Sequence, residues 1–274
     1  MNQNLKSSNL SYKRNLTKDF YLGPMTKNVI DSIIKFNNNN DNFFGVIPSR
    51  RQIETILINK GYVNSWTTEA FCSYVQKNSL SSCVILRDHA GPGQGQSIDD
   101  GIVSISADIS SGIDFLHIDP WKKAKNINHG IELTVEIIKN CESISKNTFY
   151  EIGTEEAIFP YSPDELQSII KSIKASLDED TFDKIVFGVV QSGTSVTSIE
   201  NIGVFDAQKS REMSDICHYY GLKAKEHNSD YLTSEEIIQR KSAGVDSLNI
   251  APELGVIETR ALIDMMNKPT RDRF

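Results

Sequence analysis

The sequence Val84-Ile85-Leu86-Arg87-Asp88-His89-Ala90-Gly91-Pro92 joins a short apolar run to a carboxylate, an imidazole and a glycine-containing turn. A run of this length that ends in turn-forming residues is typical of a buried strand. Similar runs, rich in β-branched and aromatic residues, recur along the chain. They predict eight strands, at residues 43–47, 62–66, 83–86, 115–118, 149–152, 184–190, 222–224 and 246–250.

Longer amphipathic segments alternate with these strands and have the periodicity of helices. Several begin with residues that cap a helix, such as Ser162-Pro163-Asp164-Glu165. The predicted helices lie near residues 50–60, 68–78, 98–111, 126–142, 163–178, 205–219, 233–242 and 253–267. Eight strand–helix repeats predict an α/β fold of the (β/α)8 TIM-barrel type. An open doubly wound sheet is the alternative, and it is less favoured because no G-x-G-x-x-G motif follows the first strand.

The N-terminal segment does not follow this alternation. Apolar residues recur at helical spacing between Met25 and Phe36, and the run Asn37-Asn38-Asn39-Asn40-Asp41-Asn42 then favours a loop. We therefore predict an N-terminal extension with one helix over residues 1–42, and the barrel over residues 43–274.

Composition narrows the classes of partner. The 274 residues carry a formal net charge of −7, which argues against a general nucleic-acid or anionic-membrane binder. The four cysteines are far apart and form no C-x-x-C pair, so reduced thiols are expected. The first residues lack the apolar core of a secretory signal, and the apolar runs are too short to cross a bilayer. These features predict a soluble, cytoplasmic protein with no nucleic-acid or membrane partner.

The sharpest functional candidates stand where predicted strands end, because the carboxyl ends of barrel strands converge on one mouth. Asp88 and His89 follow the third strand, and His227 follows the seventh. Two histidines beside a carboxylate indicate a divalent-metal site, with Asp88 as a proton-transferring group. A loop-capping carboxylate and a solvated imidazole are the alternative for Asp88 and His89. His117 is expected in the barrel interior or behind the ligands, and His129 on a helix surface.

Other polar residues at the strand ends extend the candidate site. Glu151 could ligate the metal, orient a ligand, act as an acid or pair with a lysine, and Glu155 and Glu156 on the following loop could act as an acid or base. The segment Gln191-Ser192-Gly193-Thr194-Ser195 is similar to an anion-binding nest of backbone N–H groups, and an ordinary turn fits it equally well. Loops after strands seven and eight of barrels often hold phosphate. The predicted substrate- or phosphate-binding residues are Ser49, Asn64, Asp119, Ser192, Gly193, Asn228, Ser229, Asn249 and Ala251.

Together these segments resemble the class II aldolase superfamily. They are most similar to its branch of tagatose-bisphosphate aldolase accessory subunits, which also includes metal-dependent ketose-phosphate 4-epimerases. The resemblance covers about residues 44–266. Besides the stretch quoted first, it rests on Gly112-Ile113-Asp114-Phe115-Leu116-His117-Ile118-Asp119, Tyr150-Glu151-Ile152-Gly153-Thr154-Glu155, Val189-Val190-Gln191-Ser192-Gly193 and Glu226-His227-Asn228-Ser229-Asp230-Tyr231.

The resemblance implies a barrel that binds a divalent ion, usually zinc, and acts on phosphorylated ketoses. Asp88 and Glu155 are the implied catalytic residues. The implied metal-binding residues are His89, Glu151, Gln191 and His227. Gln191 stands where catalytic aldolases carry a third metal histidine, and a glutamine oxygen ligates a metal more weakly than an imidazole.

The sequence leaves three functions open, and a fourth, a metal-free isomerase of sugar phosphates, is less favoured. The first is a metal-dependent aldolase, a lyase that makes or cleaves a C–C bond in a phosphorylated ketose. The second is a non-catalytic subunit that stabilises another aldolase chain, because the accessory branch also departs at the strand that carries Gln191. The third is a ketose-phosphate 4-epimerase that works by retro-aldol chemistry. The expected partners are the sugar phosphate and either a second copy of the chain or an aldolase subunit.

Overall fold

Eight short parallel strands pair side by side into a nearly closed barrel, which confirms the predicted fold class. The computed structural model describes residues 16–41, 43–96 and 98–266. The neighbour order of the strands is β2-β1-β10-β9-β6-β5-β4-β3, and β7 and β8 form a separate antiparallel hairpin after β6. The strands are β1 (Phe20–Leu22), β2 (Gly45–Val46), β3 (Leu86–Ala90), β4 (Phe115–Ile118), β5 (Phe149–Ile152), β6 (Ile185–Val189), β7 (Thr194–Val196), β8 (Asn201–Gly203), β9 (Lys223–Glu226) and β10 (Ser247–Ile250).

Helices follow most of the strands and cover the outside of the barrel. The predicted caps are formed: Ser162 and Thr233 each make a capping box with a glutamate three residues later. The helices are α1 (Lys27–Asn39), α2 (Thr68–Asn78), α3 (Ile102–Ser110), α4 (Ile127–Ile144), α5 (Pro163–Ser176), α6 (Glu179–Phe182), α7 (Ala207–Tyr219), α8 (Ser234–Ser242) and α9 (Pro252–Met265). Within the described part of the chain, no helix has the length and apolar character needed to span a membrane.

The ring closes between β2 and β3. The Val46 N–H donates to the Val84 carbonyl at 2.9 Å. Closer to the mouth, the Asp88 N–H donates to the Pro48 carbonyl at 3.0 Å, and Ser49 forms a parallel bridge with Asp88. Closure therefore fixes the backbone of Asp88 at the end of the barrel where enzymes of this architecture place their active sites.

The barrel interior changes from apolar to polar along its axis. Leu86, Phe115 and Phe187 belong to one buried cluster inside the ring, with the two phenylalanine rings 5.7 Å apart. Two residues further along β3 and β4, the inward positions are Asp88 and His117. An apolar floor thus lies beneath a group of ionisable side chains.

The strand predicted at residues 62–66 is not formed, and Phe20–Leu22 takes its place in the ring. Asn64 and Ser65 have left-handed backbone conformations, with φ of +51° and +52°, which interrupt any extended segment. Val63 and Trp66 are nevertheless buried. The apolar pattern therefore predicts burial correctly, but the prediction of a strand is wrong.

The predicted boundary at residue 42 consequently falls inside the barrel. β1 pairs with both β10 and β2, so the segment predicted to be an extension supplies the first strand and helix of the ring. With three residues, β1 is too short for its alternation to be visible in the sequence. The helix predicted near residues 50–60 is also absent, and turns replace it. Residues 1–15 and 267–274, parts of the predicted extension and barrel, lie outside the described residues.

The side chain of Arg87 links β3 to the segment that follows β2. Its side chain is fully buried, and its Nε donates to Asp108 at 2.8 Å. The same guanidinium donates to the carbonyls of Pro48 and Ile53 and to the Thr68 hydroxyl. The guanidinium of Arg87 therefore joins β3 to the segment after β2 and to the start of α2 by hydrogen bonds, and to α3 by an ion pair.

Asp108→Ala is expected to lower the free energy of unfolding by about 3–5 kcal/mol, because it leaves the buried guanidinium of Arg87 without its counter-ion. Denaturant titration followed by circular dichroism measures the change. The control is Asp264→Ala, which removes an exposed carboxylate near the end of α9 and should cost about 0.5 kcal/mol or less. A loss below about 1 kcal/mol for Asp108→Ala would show that Arg87 does not depend on this pair.

Candidate metal centre

Four elements bring ionisable side chains together at the carboxyl end of the barrel. β3 supplies Asp88 and His89, β4 supplies His117, and the position after β9 supplies His227. The loop after β5 adds Glu155. Asp88, His89, His117 and His227 each offer one ligand atom within 4.8 Å of all the others. The predicted convergence of His89 and His227 is thus present in the structure.

A local backbone distortion allows two consecutive residues to face the mouth. In a regular strand, Asp88 and His89 would point to opposite sides of the sheet. The pairing of β3 with β4 shifts register between Arg87 and Ala90, and His89 has a left-handed backbone with φ of +46°. This conformation is rare for a residue with a side chain and is typical of strained functional sites.

Asp88 Oδ1 lies among the three imidazoles without a hydrogen bond. It is 3.5 Å from His89 Nε2, 3.6 Å from His227 Nδ1 and 3.7 Å from His117 Nδ1. The oxygen is buried and has no partner. A tetrahedral zinc ion with bonds of about 2.0–2.1 Å holds its donors about 3.3–3.4 Å apart. The spacing and the orphaned oxygen therefore fit a divalent cation, and nitrogen and carboxylate donors suit zinc.

A second set of contacts orients the two outer imidazoles. His89 Nδ1 is 2.6 Å from Asp119 Oδ2, which leaves His89 Nε2 facing Asp88. His227 Nε2 makes a short hydrogen bond with Glu151 Oε1, which leaves Nδ1 facing the same point. Lys225 Nζ donates to the other oxygen of Glu151 at 2.8 Å. Carboxylates that hold metal-binding histidines in this way fix the ring orientation and raise the basicity of the ligand.

His117 lies in the barrel interior, as expected. Its Nε2 donates to the Gly153 carbonyl at 3.1 Å, and its Nδ1 accepts a hydrogen bond from the His89 N–H at 3.3 Å. It is fully buried and pairs in register with Glu151 of the neighbouring strand. Strand alternation places it on the same face as Asp119, so an inward orientation was already implied by the sequence.

The electrostatics of the cluster favour a cation. Burial alone would lower the pKa of His227, but Glu151 and the other carboxylates outweigh it and raise the pKa to about 9. Burial would likewise lower the pKa of His89, which Asp88, Asp119 and Glu155 hold well above its usual value. The centre holds more carboxylates than lysines, and either protons or a metal ion must balance the excess negative charge.

Glu155 closes the site from above. Its Oε1 is 3.3 Å from His89 Nε2 and 3.5 Å from His227 Nδ1. Burial alone would raise its pKa, but its contacts with His227 and His89 hold the pKa well below the usual range. The structure thus brings the predicted loop glutamate to the predicted histidines.

Two predicted metal ligands have other partners. Glu151 is engaged by Lys225 and His227, so it lies behind His227 rather than at the metal position. Gln191 donates to the carbonyls of Thr154 and Phe159 and accepts from a backbone N–H. These contacts use its amide to hold the loop after β5, and the structure does not bring it to the imidazoles.

The structure places the residues predicted to bind substrate near β2 and β4 in three different environments. Ser49 lies beside Asp88 at the mouth. Asp119 is fully buried and holds His89, so it has no free oxygen facing the mouth: its second oxygen accepts from the Trp121 N–H. Asn64 is exposed in a turn beside Lys27 and Glu258, because the strand that would have placed it at the mouth does not form.

The predicted phosphate-binding residues near β6, β9 and β10 are largely engaged within the chain. Ser192 donates to Glu226 at 2.9 Å, and the Gly193 N–H donates to Glu156 at 3.2 Å. The remaining contacts are Asn228 Nδ2 to the Thr194 carbonyl, the Ser229 N–H to the Asn249 carbonyl, and the Ala251 N–H to Asp230. Asn249 differs, because its Oδ1 is buried without a partner.

Solved structures with a similar fold include several aldolases. The chain matches a probable tagatose 6 phosphate kinase from Sinorhizobium meliloti with a TM-score of 0.73 and 18% identity, covering 87% of this chain and 66% of that one. It matches the YdjI aldolase from Escherichia coli K12 at 0.65 and 12%, covering 95% and 86%. It matches fructose-bisphosphate aldolase from Campylobacter jejuni at 0.62 and 11%, covering 94% and 76%.

These comparisons show that the chain shares the (β/α)8-barrel fold of these proteins, and identities this low show the fold alone. The chain spans slightly less than two thirds of the length of the Sinorhizobium protein. No protein-family profile matches the sequence, and no curated protein sequence does either.

Glu151→Gln is expected to weaken zinc binding by about 10–100-fold, because it removes the carboxylate that orients His227. Competition with a chromophoric chelator measures the affinity. Glu151→Gln also leaves Lys225 unpaired, so Glu151→Gln/Lys225→Met serves as a second variant without a buried charge, and the same loss is expected. Glu132→Gln on the exposed side of α4 is the matched control. Unchanged zinc affinity in both Glu151 variants would rule out the orienting role.

Proposed function

We propose that this chain is a zinc-dependent, class II-type aldolase, a lyase that forms or cleaves a C–C bond beside the ketone of a sugar phosphate or related ketose. The observation that carries the proposal is the buried Asp88 oxygen, which has three imidazoles around it and no hydrogen bond. The aldolase-type barrel and the resemblance of the strand-end segments support the same reaction class.

The cost of this arrangement favours a metal site over a barrel that serves for packing alone. A buried carboxylate oxygen without a partner costs about 1–3 kcal/mol or more. The left-handed His89 adds about 1–3 kcal/mol of strain. A bound cation would offset the cost of the buried oxygen, whereas packing alone gains nothing from either feature.

The residues present would hold the ion and leave room for substrate. His89 Nε2 and His227 Nδ1 would supply nitrogen donors and Asp88 Oδ1 an oxygen, which leaves the fourth tetrahedral position for substrate. His117 Nδ1 accepts from the His89 N–H and would lie behind these three donors. When bound, a divalent ion provides electrophilic stabilisation of the negative charge that develops on a ketone oxygen during C–C cleavage. Asp119 and Glu151 keep the imidazoles of His89 and His227 in the ligating orientation.

Two carboxylates are placed to move protons. The Asp88 side chain is 21% exposed, so it can be reached from the mouth, where it would take the proton from the hydroxyl on the carbon being cleaved. Glu155 is 22% exposed and lies on the loop above the imidazoles. It would deliver a proton to the carbon that is left after cleavage, and remove it in the condensation direction.

The four cysteines are buried and free. Free thiols support a reducing compartment, and we include a cytoplasmic location and assembly with a second copy of the chain in the proposal.

Removal of metal is expected to abolish the reaction, and added zinc is expected to restore it, because the electrophile supplies several kcal/mol of stabilisation. Purified chain is treated with chelator, dialysed, and assayed with free and phosphorylated ketoses for cleavage, condensation and epimerisation at C4. Release of an aldehyde supports the aldolase, and C4 inversion without release indicates the epimerase instead. Full activity without metal contradicts the metal role, and a zinc-loaded chain with no turnover indicates a stabilising subunit.

Asp88→Asn separates metal binding from proton transfer. The amide oxygen can still face the ion, so zinc affinity should stay within about tenfold, whereas turnover should fall by about 10²–10⁴-fold without the base. Steady-state kinetics on zinc-loaded protein measure this, with the exposed Asp164→Asn of α5 as control. Normal turnover of Asp88→Asn would remove this residue from the mechanism.

A further inference from the structure

The carboxylate of Asp230 occupies the start of the last barrel helix. Its Oδ1 accepts from the Ala251 N–H and from the Glu253 N–H, each at 2.8 Å. These N–H groups lie at the first turn of α9, where no residue of the helix itself provides a side-chain cap. Barrels commonly bind a substrate phosphate with such groups after their last two strands.

Asp230 is held firmly in this position. Asp230 is 2% exposed, and burial raises the pKa of its carboxyl to about 6. Asn201 of the β7–β8 hairpin donates to the backbone carbonyls of Asn228 and Asp230. The Tyr231 N–H donates to Glu253 at 2.6 Å. The loop after β9 is thus tied both to the hairpin and to α9, which fixes the backbone that carries the carboxylate.

A second carboxylate fills the other predicted phosphate position. The Gly193 N–H donates to Glu156, which also pairs with Lys209 at 2.9 Å. Cations near this rim are already used as well: Arg240 pairs with Glu226 at 3.1 Å. A phosphate dianion here would face carboxylates in place of free N–H groups and free cations, and like charges brought together oppose binding.

Hydrogen-bond acceptors without partners lie next to this rim. Asn249 lies on the strand that leads to α9, and its Oδ1 is buried without a partner. Its backbone carbonyl accepts from the Ser229 N–H, in the loop that carries Asp230. Hydroxyl groups donate hydrogen bonds and a phosphate dianion does not. A polyhydroxylated chain end is therefore the complementary group.

We propose that Asp230 is a specificity-determining residue that excludes phosphate from the N-terminus of α9, so that the substrate end bound at this rim carries hydroxyl groups. This inference rests on the proposed ketose chemistry of the metal centre. It differs from the phosphate-binding role predicted for Ser192, Gly193, Asn228, Ser229 and Ala251, because carboxylates of the chain now take the N–H groups of Gly193 and Ala251.

Calorimetric titration of the zinc-loaded full chain with dihydroxyacetone and dihydroxyacetone phosphate tests the inference. The wild type should bind the phosphate ester no more than about threefold more tightly than the free ketone. Asp230→Asn keeps an accepting oxygen and removes the charge, so the ratio of ester affinity to ketone affinity should rise by at least about tenfold over that of the wild type. Asp264→Asn, at the other end of α9, is the matched control and should change neither.

Inorganic phosphate gives a reading that does not depend on the metal centre. Metal-free wild type should not bind it at millimolar concentration, and Asp230→Asn should. Phosphate binding by the wild type overturns the inference, as does a wild-type preference of about tenfold or more for the ester. Equal ratios in wild type and Asp230→Asn also overturn it. If neither ketone binds to zinc-loaded protein, the proposed ketose chemistry fails, and phosphate exclusion is then judged by inorganic phosphate alone.

Discussion

The carboxylate of Asp88 among three imidazoles is the constraint on which the rest of the site depends. Its oxygen is buried, has no hydrogen bond, and lies 3.5–3.7 Å from three ring nitrogens. These separations are too long for hydrogen bonds and close to the spacing of donors around one small cation. The backbone accepts a left-handed His89 to bring this about, and Arg87 fixes the adjoining strand from the outside.

The barrel supplies this geometry by separating its apolar and polar halves. Phe115 and Phe187 fill the interior below, and Lys225 lies over the rings of Tyr21 and Phe187 while it pairs with Glu151. Glu151 in turn holds His227. A chain of contacts thus runs from the packed interior to the ligating nitrogen, so the orientation of the imidazole is set by the fold rather than by the loops.

Much of the fold could be predicted from the sequence, and the wrong strand predictions have a common origin. The apolar runs at β4, β5 and β6 are rich in β-branched and aromatic residues, and the structure has buried strands there. β1 has three residues and carries no such signal, whereas residues 62–66 have the apolar content without the extended backbone. Local pattern reports burial, and pairing partners distant in the chain decide which buried segment becomes a strand.

The candidate site shows the same limit. Strand ends identified His89, His227 and Asp88, because convergence follows from barrel topology alone. The distinction between a ligand and the residue behind it depends on distances that no spacing encodes. Glu151 and Gln191 are therefore predicted as metal ligands but have other partners, whereas the expected position of His117 in the barrel interior is confirmed. The sequence also could not reveal that Asp230 accepts from N–H groups predicted to bind phosphate, because a sequence does not show which N–H groups are free.

X-ray absorption spectroscopy at the zinc edge, on the full chain loaded with one equivalent of zinc, tests the central claim most directly. The account predicts a first shell of two or three imidazole nitrogens and at least one oxygen at about 2.0–2.1 Å, with the outer-shell scattering that imidazole rings produce. A shell of oxygen atoms alone, without imidazole scattering, would contradict it.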